Sequence, residues 1–266
     1  MSANGELMVR VRGLSVSYQQ QNKEIPALRD VSFSVPKGST CALIGPSGCG
    51  KSTLLYVLSG LLRSWSGEVL VDGAPVTSCR RQTALILQDY GLLPWKKVYD
   101  NVALGLDIRG ESREKKYIKV KRVLNEVGLW EMRQRYPSQL SGGQRQRTGI
   151  ARALALEPDL LLMDEPFSSL DALTREKLQR QLLEIWQEKR MTVVLVTHSI
   201  EEAIFLGQRI ILLSGSPGRV LDIVENPRVG EAGYRKTAEF HALTTKLREK
   251  LVPERVEISG GAGRWK

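Results

Sequence analysis

The run Gly45-Pro46-Ser47-Gly48-Cys49-Gly50-Lys51-Ser52 fits the spacing G-x-x-x-x-G-K-[ST] in full. That spacing has a chemical meaning. Glycines let the chain curl until successive N–H groups point inward around a phosphate. A helix opening at Lys51 adds the partial positive charge of its N-terminus. Lys51 then reaches the β- and γ-phosphates as a point charge, and Ser52 offers its hydroxyl to Mg2+. Thr53 is placed for the α- and β-phosphates. Cys49 reads as a small loop residue and not as a nucleophile, since it is a lone thiol with no histidine nearby.

A second constellation lies further on. Leu160-Leu-Leu-Met163 is an apolar run that delivers two carboxylates, Asp164 and Glu165, at its end. In a parallel sheet the strand ends meet at the ligand crevice. Asp164 is expected to hold Mg2+ through water. Glu165 is expected to polarise an attacking water as general base, which requires a carboxylate within hydrogen-bond reach.

Both constellations need strands that end beside helices. Thr40–Ile44 is a short apolar run stopped by glycine, and Lys51–Leu62 has helical periodicity. Met8–Val16 and Ala27–Val35 alternate as half-buried strands, and Glu68–Val71 and Ala84–Leu87 read as short ones. Helical spacing then dominates over Asp100–Leu106, Arg113–Val127 and from Ser141 to about Glu157, with Pro158 at the boundary. Leu160–Met163, Met191–Thr197 and Ile210–Ser214 read as strands, separated by helices at Leu173–Arg190 and Ile200–Leu206. The pattern predicts an α/β fold: a mostly parallel core sheet interrupted by a helical insertion. Phe240–Leu251 has the helical period and could pack on the core or on a second copy. Ser259–Gly263 is Gly-rich and expected to be mobile.

Composition narrows the class. The 266 residues carry 39 Lys+Arg against 29 Asp+Glu, a formal charge of +10, with 42% hydrophobic residues. That excludes a disordered acidic chain. Three cysteines, Cys41, Cys49 and Cys79, are too scattered for a disulfide framework or zinc site and fit a reducing compartment. Apolar runs such as TVVLVT are strand-sized, well short of the roughly 20 residues that cross a bilayer. The opening MSANGELMVR lacks an apolar h-region, so no secretory leader is expected. The positive excess is uneven: +5 falls on Arg109–Arg135 and +4 on the tail from Arg228, whereas residues 136–227 sum to −2. Nucleic acid or an anionic membrane surface could attract such charge. Only two aromatics, Tyr117 and Trp130, interleave the nine basic residues of Arg109–Arg135, which disfavours nucleic acid.

The segment Leu140-Ser141-Gly142-Gly143-Gln144-Arg145-Gln146-Arg147 resembles the signature of ATP-binding cassette (ABC) proteins. Other motifs of that family follow in order. Tyr18 falls where its adenine-stacking aromatic lies, Gln88 at its Q-loop, Ser168-Ser169-Leu170-Asp171 at its D-loop with Ser169 where alanine is usual, and His198 at its switch histidine. The resemblance covers roughly residues 7–227. It implies a P-loop NTPase core with an N-terminal antiparallel β subdomain and an inserted helical subdomain. The core would comprise residues 1–88 and 159–227, the helical signature subdomain 89–158, and the tail 228–266. It further implies Mg2+-dependent ATP hydrolysis with Lys51, Gln88, Glu165 and His198 as catalytic residues. Gly45 to Thr53 and Tyr18 would hold the nucleotide, and Ser52, Gln88 and Asp164 the metal. Ser141, Gly142, Gly143, Gln144 and Asp171 would complete the site of a second, head-to-tail copy in an ATP-dependent homodimer.

Two stretches, Gly91–Val98 with Asp100–Leu104, and Ser214–Val220, are similar to importers of the nitrate/sulfonate/taurine group. The resemblance then implies a bacterial subunit at the cytoplasmic face of the membrane, docked to separate transmembrane permease chains. A periplasmic or lipid-anchored solute-binding protein would take part indirectly, and nucleic acid would not. A nucleic-acid-associated cassette is the alternative. Trp95 admits two readings, a seat for a helix of the membrane partner or a core residue. The charge on Arg109–Arg135 and the tail reads as solvated surface near an anionic bilayer.

Overall fold

The computed structural model describes residues 6–20, 23–168 and 170–251. Ser169 and the Gly-rich Ser259–Gly263 lie outside the described residues. Two sheets organise the chain. The first is antiparallel, in the order β2-β1-β4-β5, built from β1 (Leu7–Gln20), β2 (Lys23–Pro36), β4 (Ser66–Val71) and β5 (Ala74–Pro75). The second has six strands in the order β10-β9-β3-β8-β7-β6. These are β3 (Thr40–Ile44), β6 (Thr83–Ile86), β7 (Leu160–Asp164), β8 (Thr192–Thr197), β9 (Arg209–Leu213) and β10 (Val220–Glu225). All its pairings are parallel except that of β9 with β10.

The central strands β3, β7 and β8 are buried on both faces, which explains their unbroken apolar runs. Alternate residues of one strand therefore serve two cores. Ala42 and Ile44 join the cluster beneath the helical insertion, whereas Cys41 and Leu43 join the one shared with the antiparallel sheet. Burial pushes the Cys41 thiol up to about 12, so it behaves as an apolar packing residue.

Helices α2 (Val98–Ile108), α3 (Arg113–Glu126) and α4 (Gly142–Leu154) form the insertion between β6 and β7. The remaining helices are α1 (Lys51–Ser59), α5 (Ala172–Lys189), α6 (Ile200–Leu206) and α7 (Ala238–Leu251). No described helix is long and apolar enough to cross a membrane.

Several expected boundaries move. Helix α1 stops at Ser59 rather than Leu62. Gly60 adopts φ 77 and its N–H caps the carbonyls of Tyr56 and Val57. Helix α4 ends at Leu154, short of Glu157, which sits at φ 52 before Pro158. Strands β5 and β10 add to the elements that the sequence pattern predicts; β10 is a half-exposed edge strand without a strong apolar signal. Of the two placements open for the tail helix, α7 takes the core: Phe240 and Leu247 are buried there. Trp95 is 70% exposed, which excludes the core reading. Much of the basic face of the insertion is paired. Lys116 meets Asp107, Lys119 meets Glu111 and Glu157, and Arg122 meets Glu126 and Glu157.

Candidate active site

Strand β3 ends at Ile44 and the chain turns at once through the glycine loop into α1. Gly50, the residue before α1, takes φ 91, a conformation that favours glycine. A side chain there would also strike the Ala27 carbonyl, 2.8 Å from its Cβ. No side chain caps α1 and its first turn holds no acidic residue. Its leading N–H groups are therefore left to an anionic ligand.

The loop borders a cleft of about 510 Å³, lined by Ser47, Gly48, Gly50, Lys51, Ser52 and Thr53, with Tyr18, Gln88 and Glu165 opposite. The Lys51 ammonium donates to the carbonyls of Gly45 and Pro46, both at 2.8 Å. Cys49 is fully buried behind the loop with its sulfur 3.8 Å from that ammonium, and burial raises its thiol pKa. Both observations agree with a packing role. Tyr18 is exposed, and its hydroxyl lies 3.1 Å from the Thr53 hydroxyl, so its ring forms a wall of the cleft.

Strand β7 delivers Asp164, buried, whose carboxyl is pushed up by burial and held back in part by a hydrogen bond with Ser52. Glu165 follows at φ 44, a left-handed backbone uncommon for a non-glycine residue. Its N–H donates to the Val196 carbonyl at 3.0 Å, which ties it to β8. His198, just past β8, places Nδ1 3.2 Å from Glu165 Oε2. Gln88, beyond β6, brings Nε2 to 3.5 Å from the same oxygen. The ends of β6, β7 and β8 thus bring two widely separated residues, Gln88 and His198, onto the Glu165 carboxylate.

A hydroxyl, a buried carboxylate and an amide suit Mg2+, which prefers oxygen ligands and is usually held by one or two protein groups plus phosphates. Among the described residues no cluster of three His, Cys, Asp or Glu could cage a metal by itself. A metal shared with phosphate is therefore the arrangement that these residues fit.

The signature residues lie elsewhere. Ser141 is the N-cap of α4, and its hydroxyl accepts the Gln144 N–H at 3.3 Å. The Gln144 side chain accepts the Ser141 N–H at 2.9 Å. A Cβ on Gly143 would stand 2.8 Å from the Thr174 methyl, and one on Gly142 3.7 Å from Leu170. Asp171 caps α5 by accepting the Thr174 N–H at 2.9 Å, and that bond lowers its carboxyl pKa. Ser141 to Gln144 and Asp171 thus gather around one patch, and among the described residues none of them lines the cleft.

Sequence reasoning missed Ile25, Pro26 and Ala27 of β2, and Ser216, all of which line the cleft. Their types carry no chemical signal. Ser216 belongs to the loop after β9, in which the Gly218 N–H donates to the Ala27 carbonyl at 2.9 Å. That loop is thus tied to β2, and Gly218 stands so close to the glycine loop that a Cβ on it would strike the Cys49 carbonyl.

A family model described as ABC transporter matches residues 28–168. The Taurine import ATP-binding protein TauB of Pseudomonas aeruginosa is 40% identical over 253 residues, 92% of this chain and 95% of that protein. The Aliphatic sulfonates import ATP-binding protein SsuB of Bacillus cereus is 40% identical over 222 residues, 83% and 86% of the two chains. Among solved structures, the dimeric post-hydrolysis state of the ATP-binding cassette MJ0796 bound to ADP and Pi superposes with TM-score 0.74. It is 32% identical and covers 82% of this chain and 98% of that one. The family match spans the glycine loop, the signature helix and the acidic pair alike, and the chain belongs to the ABC transporter family as an ATP-hydrolysing member.

Proposed function

We propose that this chain is the ATPase subunit of an importer for a small sulfonate such as taurine, acting as an ATP-closed homodimer under separate permease chains. The similarity to TauB and SsuB supports the sulfonate class. The convergence of Gln88 and His198 on Glu165, at the edge of the cleft that Lys51 lines, carries the hydrolytic reading. ATP lies with its adenine on Tyr18 and its phosphates in the glycine loop. Lys51 and the N–H groups of α1 balance the phosphate charge. Ser52, Gln88 and Asp164 would hold Mg2+, which would supply positive charge to balance that of the phosphates. Glu165 takes the proton of a water whose oxygen attacks the γ-phosphorus as the bond to ADP breaks. Gln88 and His198 fix the carboxylate for that transfer.

One chain holds Ser141 away from this cleft, so the signature serves the site of a second copy. The dimeric form of the similar MJ0796 cassette supports that arrangement. The exposed Trp95 faces the permease, on a loop fastened by buried Asn101, which accepts the Leu93 N–H at 2.8 Å and donates to the Lys96 carbonyl at 2.8 Å.

The test is Glu165→Gln. ATP binding persists, turnover falls at least about a hundredfold, and ATP drives dimer formation in sedimentation. Full turnover in that variant removes Glu165 as base, and a monomer with bound ATP removes the head-to-tail site. Reconstitution with permease and binding-protein chains of a taurine importer should give ATP-dependent taurine uptake, and uptake of nitrate alone refutes the sulfonate assignment.

A further inference from the structure

His198 stands between two residues that are both tied to Glu202. On one side the buried Thr197 hydroxyl donates to the Glu202 carboxylate and accepts the Ser199 N–H at 3.0 Å. On the other, Ser199 caps α6 by accepting the Glu202 N–H at 3.3 Å. Glu202 is only 6% exposed, and burial pushes its carboxyl up. Its second oxygen accepts from Gln179 Nε2 at 3.1 Å. Gln179, on α5, is 1% exposed and accepts on Oε1 from the Arg235 guanidinium. Only one orientation of that amide serves both neighbours, its oxygen toward the cation and its nitrogen toward the carboxylate.

Arg235 belongs to the tail, in a single 3-10 turn, Tyr234–Lys236, that precedes α7. Its guanidinium lies 3.8 Å from the ring centre of Phe205 on α6 and 3.5 Å from Glu176. The preceding residue grips the other end of α6. The Tyr234 hydroxyl donates to Asn226 Oδ1 at 2.8 Å. Asn226 Nδ2 in turn donates to the carbonyls of Ile204 at 2.7 Å and Gly207 at 3.0 Å. Consecutive tail residues therefore fasten both ends of the helix that follows His198. Arg235 does not line the nucleotide cleft; it borders a separate groove of about 660 Å³.

We propose that Arg235 is a positioning residue for ATP hydrolysis: through Gln179 and Glu202 it fixes the Thr197–Ser199 turn, and with it the approach of His198 to Glu165. The proposal rests on the reading of Glu165 and His198 as hydrolytic partners. Without Arg235 the Gln179 amide loses the donor that orients it, and its hold on the buried Glu202 loosens. The turn carrying the imidazole then samples other positions. The tail thereby acts on hydrolysis from a distance, and nucleotide binding is untouched.

The chain has two histidines, so in a His241→Gln background the ring of His198 gives the one histidine resonance. In that background Arg235→Ala should shift or broaden the resonance. It should lower kcat about tenfold with KM for ATP within about twofold, and Arg235→Lys should restore most of the loss. A folded Arg235→Ala protein with unchanged kcat overturns the proposal, whether or not the resonance moves. So does a fall in kcat with an unmoved resonance. If Arg235→Ala fails to fold, Gln179→Met cuts the same chain and is read by the same outcomes. Full turnover in His198→Ala would instead fail the hydrolytic reading, while the resonance still reports whether Arg235 places His198.

Discussion

Gly218→Ala tests how the glycine loop is braced. Gly218 sits in the loop after β9, outside every motif that handles phosphate. Its N–H donates to Ala27 and its carbonyl accepts the Arg29 N–H, both at 2.9 Å. A Cβ there would stand 2.0 Å from the Cys49 carbonyl oxygen and 3.2 Å from Leu28 Cδ2. Its φ is outside the left-handed region, so alanine meets no backbone penalty and the whole effect is steric. A carbon–oxygen contact relaxes to about 3.3 Å, which requires a displacement of more than about 1 Å. The bracing loop cannot simply retreat, because the Ser214 N–H donates to the Arg219 carbonyl at 2.9 Å and Ser214 Oγ accepts the Arg219 N–H at 2.9 Å. The movement therefore falls on Cys49 and turns the neighbouring N–H groups off the phosphates. Misplacement on this scale costs about a hundredfold, or about 2.7 kcal/mol of ATP affinity. Titration with ATP by calorimetry reads it, and the melting temperature without nucleotide checks the fold. Gly215→Ala is the control, since nothing lies within 4 Å of its added Cβ, and its affinity should stay within about twofold. ATP affinity within threefold of the parent in Gly218→Ala refutes the bracing argument.

Asp164→Asn should raise the melting temperature at pH 7 to 8 while abolishing most turnover. Burial raises the folded pKa of Asp164, so its ionisation weakens the fold above that pKa. The gain from asparagine should vanish as pH falls through it, and a lower melting temperature at pH 8 contradicts this sign. Tyr18→Ala should raise KM for ATP roughly tenfold with kcat little changed, and Tyr18→Phe should retain most affinity, because the ring and not the hydroxyl meets the base. Neutralising Lys115 and Lys121 together should weaken association with anionic vesicles and leave ATP turnover in solution unaltered. A fall in soluble turnover assigns that charge to the active site instead.

Motif chemistry was legible because it is local. A strand, six loop residues and a helix start bring Gly45 to Thr53 together with no help from the rest of the chain. Helix ends were less legible, because they depend on contacts made later. Gly60 ends α1 where a side chain would strike the Ser78 carbonyl, 2.3 Å from its Cβ. Strand β10 was illegible because Val220-Leu221-Asp222-Ile223-Val224-Glu225 does not alternate apolar with polar and no position of it is fully buried. The link from Arg235 to Thr197 joins four elements scattered along the chain, a 3-10 turn, α5, α6 and β8. Each of its residues is ordinary alone, so no spacing rule announces it.

The grip of Lys51 on its own loop has a consequence for selectivity. Two carbonyls at 2.8 Å already satisfy part of the ammonium's demand for acceptors. A ligand must offer that cation more than two neutral dipoles before the lysine transfers to it. A nucleoside, which carries no phosphate, offers it no negative charge. A polyphosphate extending along the loop presents full negative charge and several oxygens at once. On the proposed reading the protein's own backbone competes with the ligand for the lysine, and the more charge a ligand carries the better it competes. On the proposed reading of this loop as the phosphate site, discrimination between nucleotides by their phosphate number resides in a single chain.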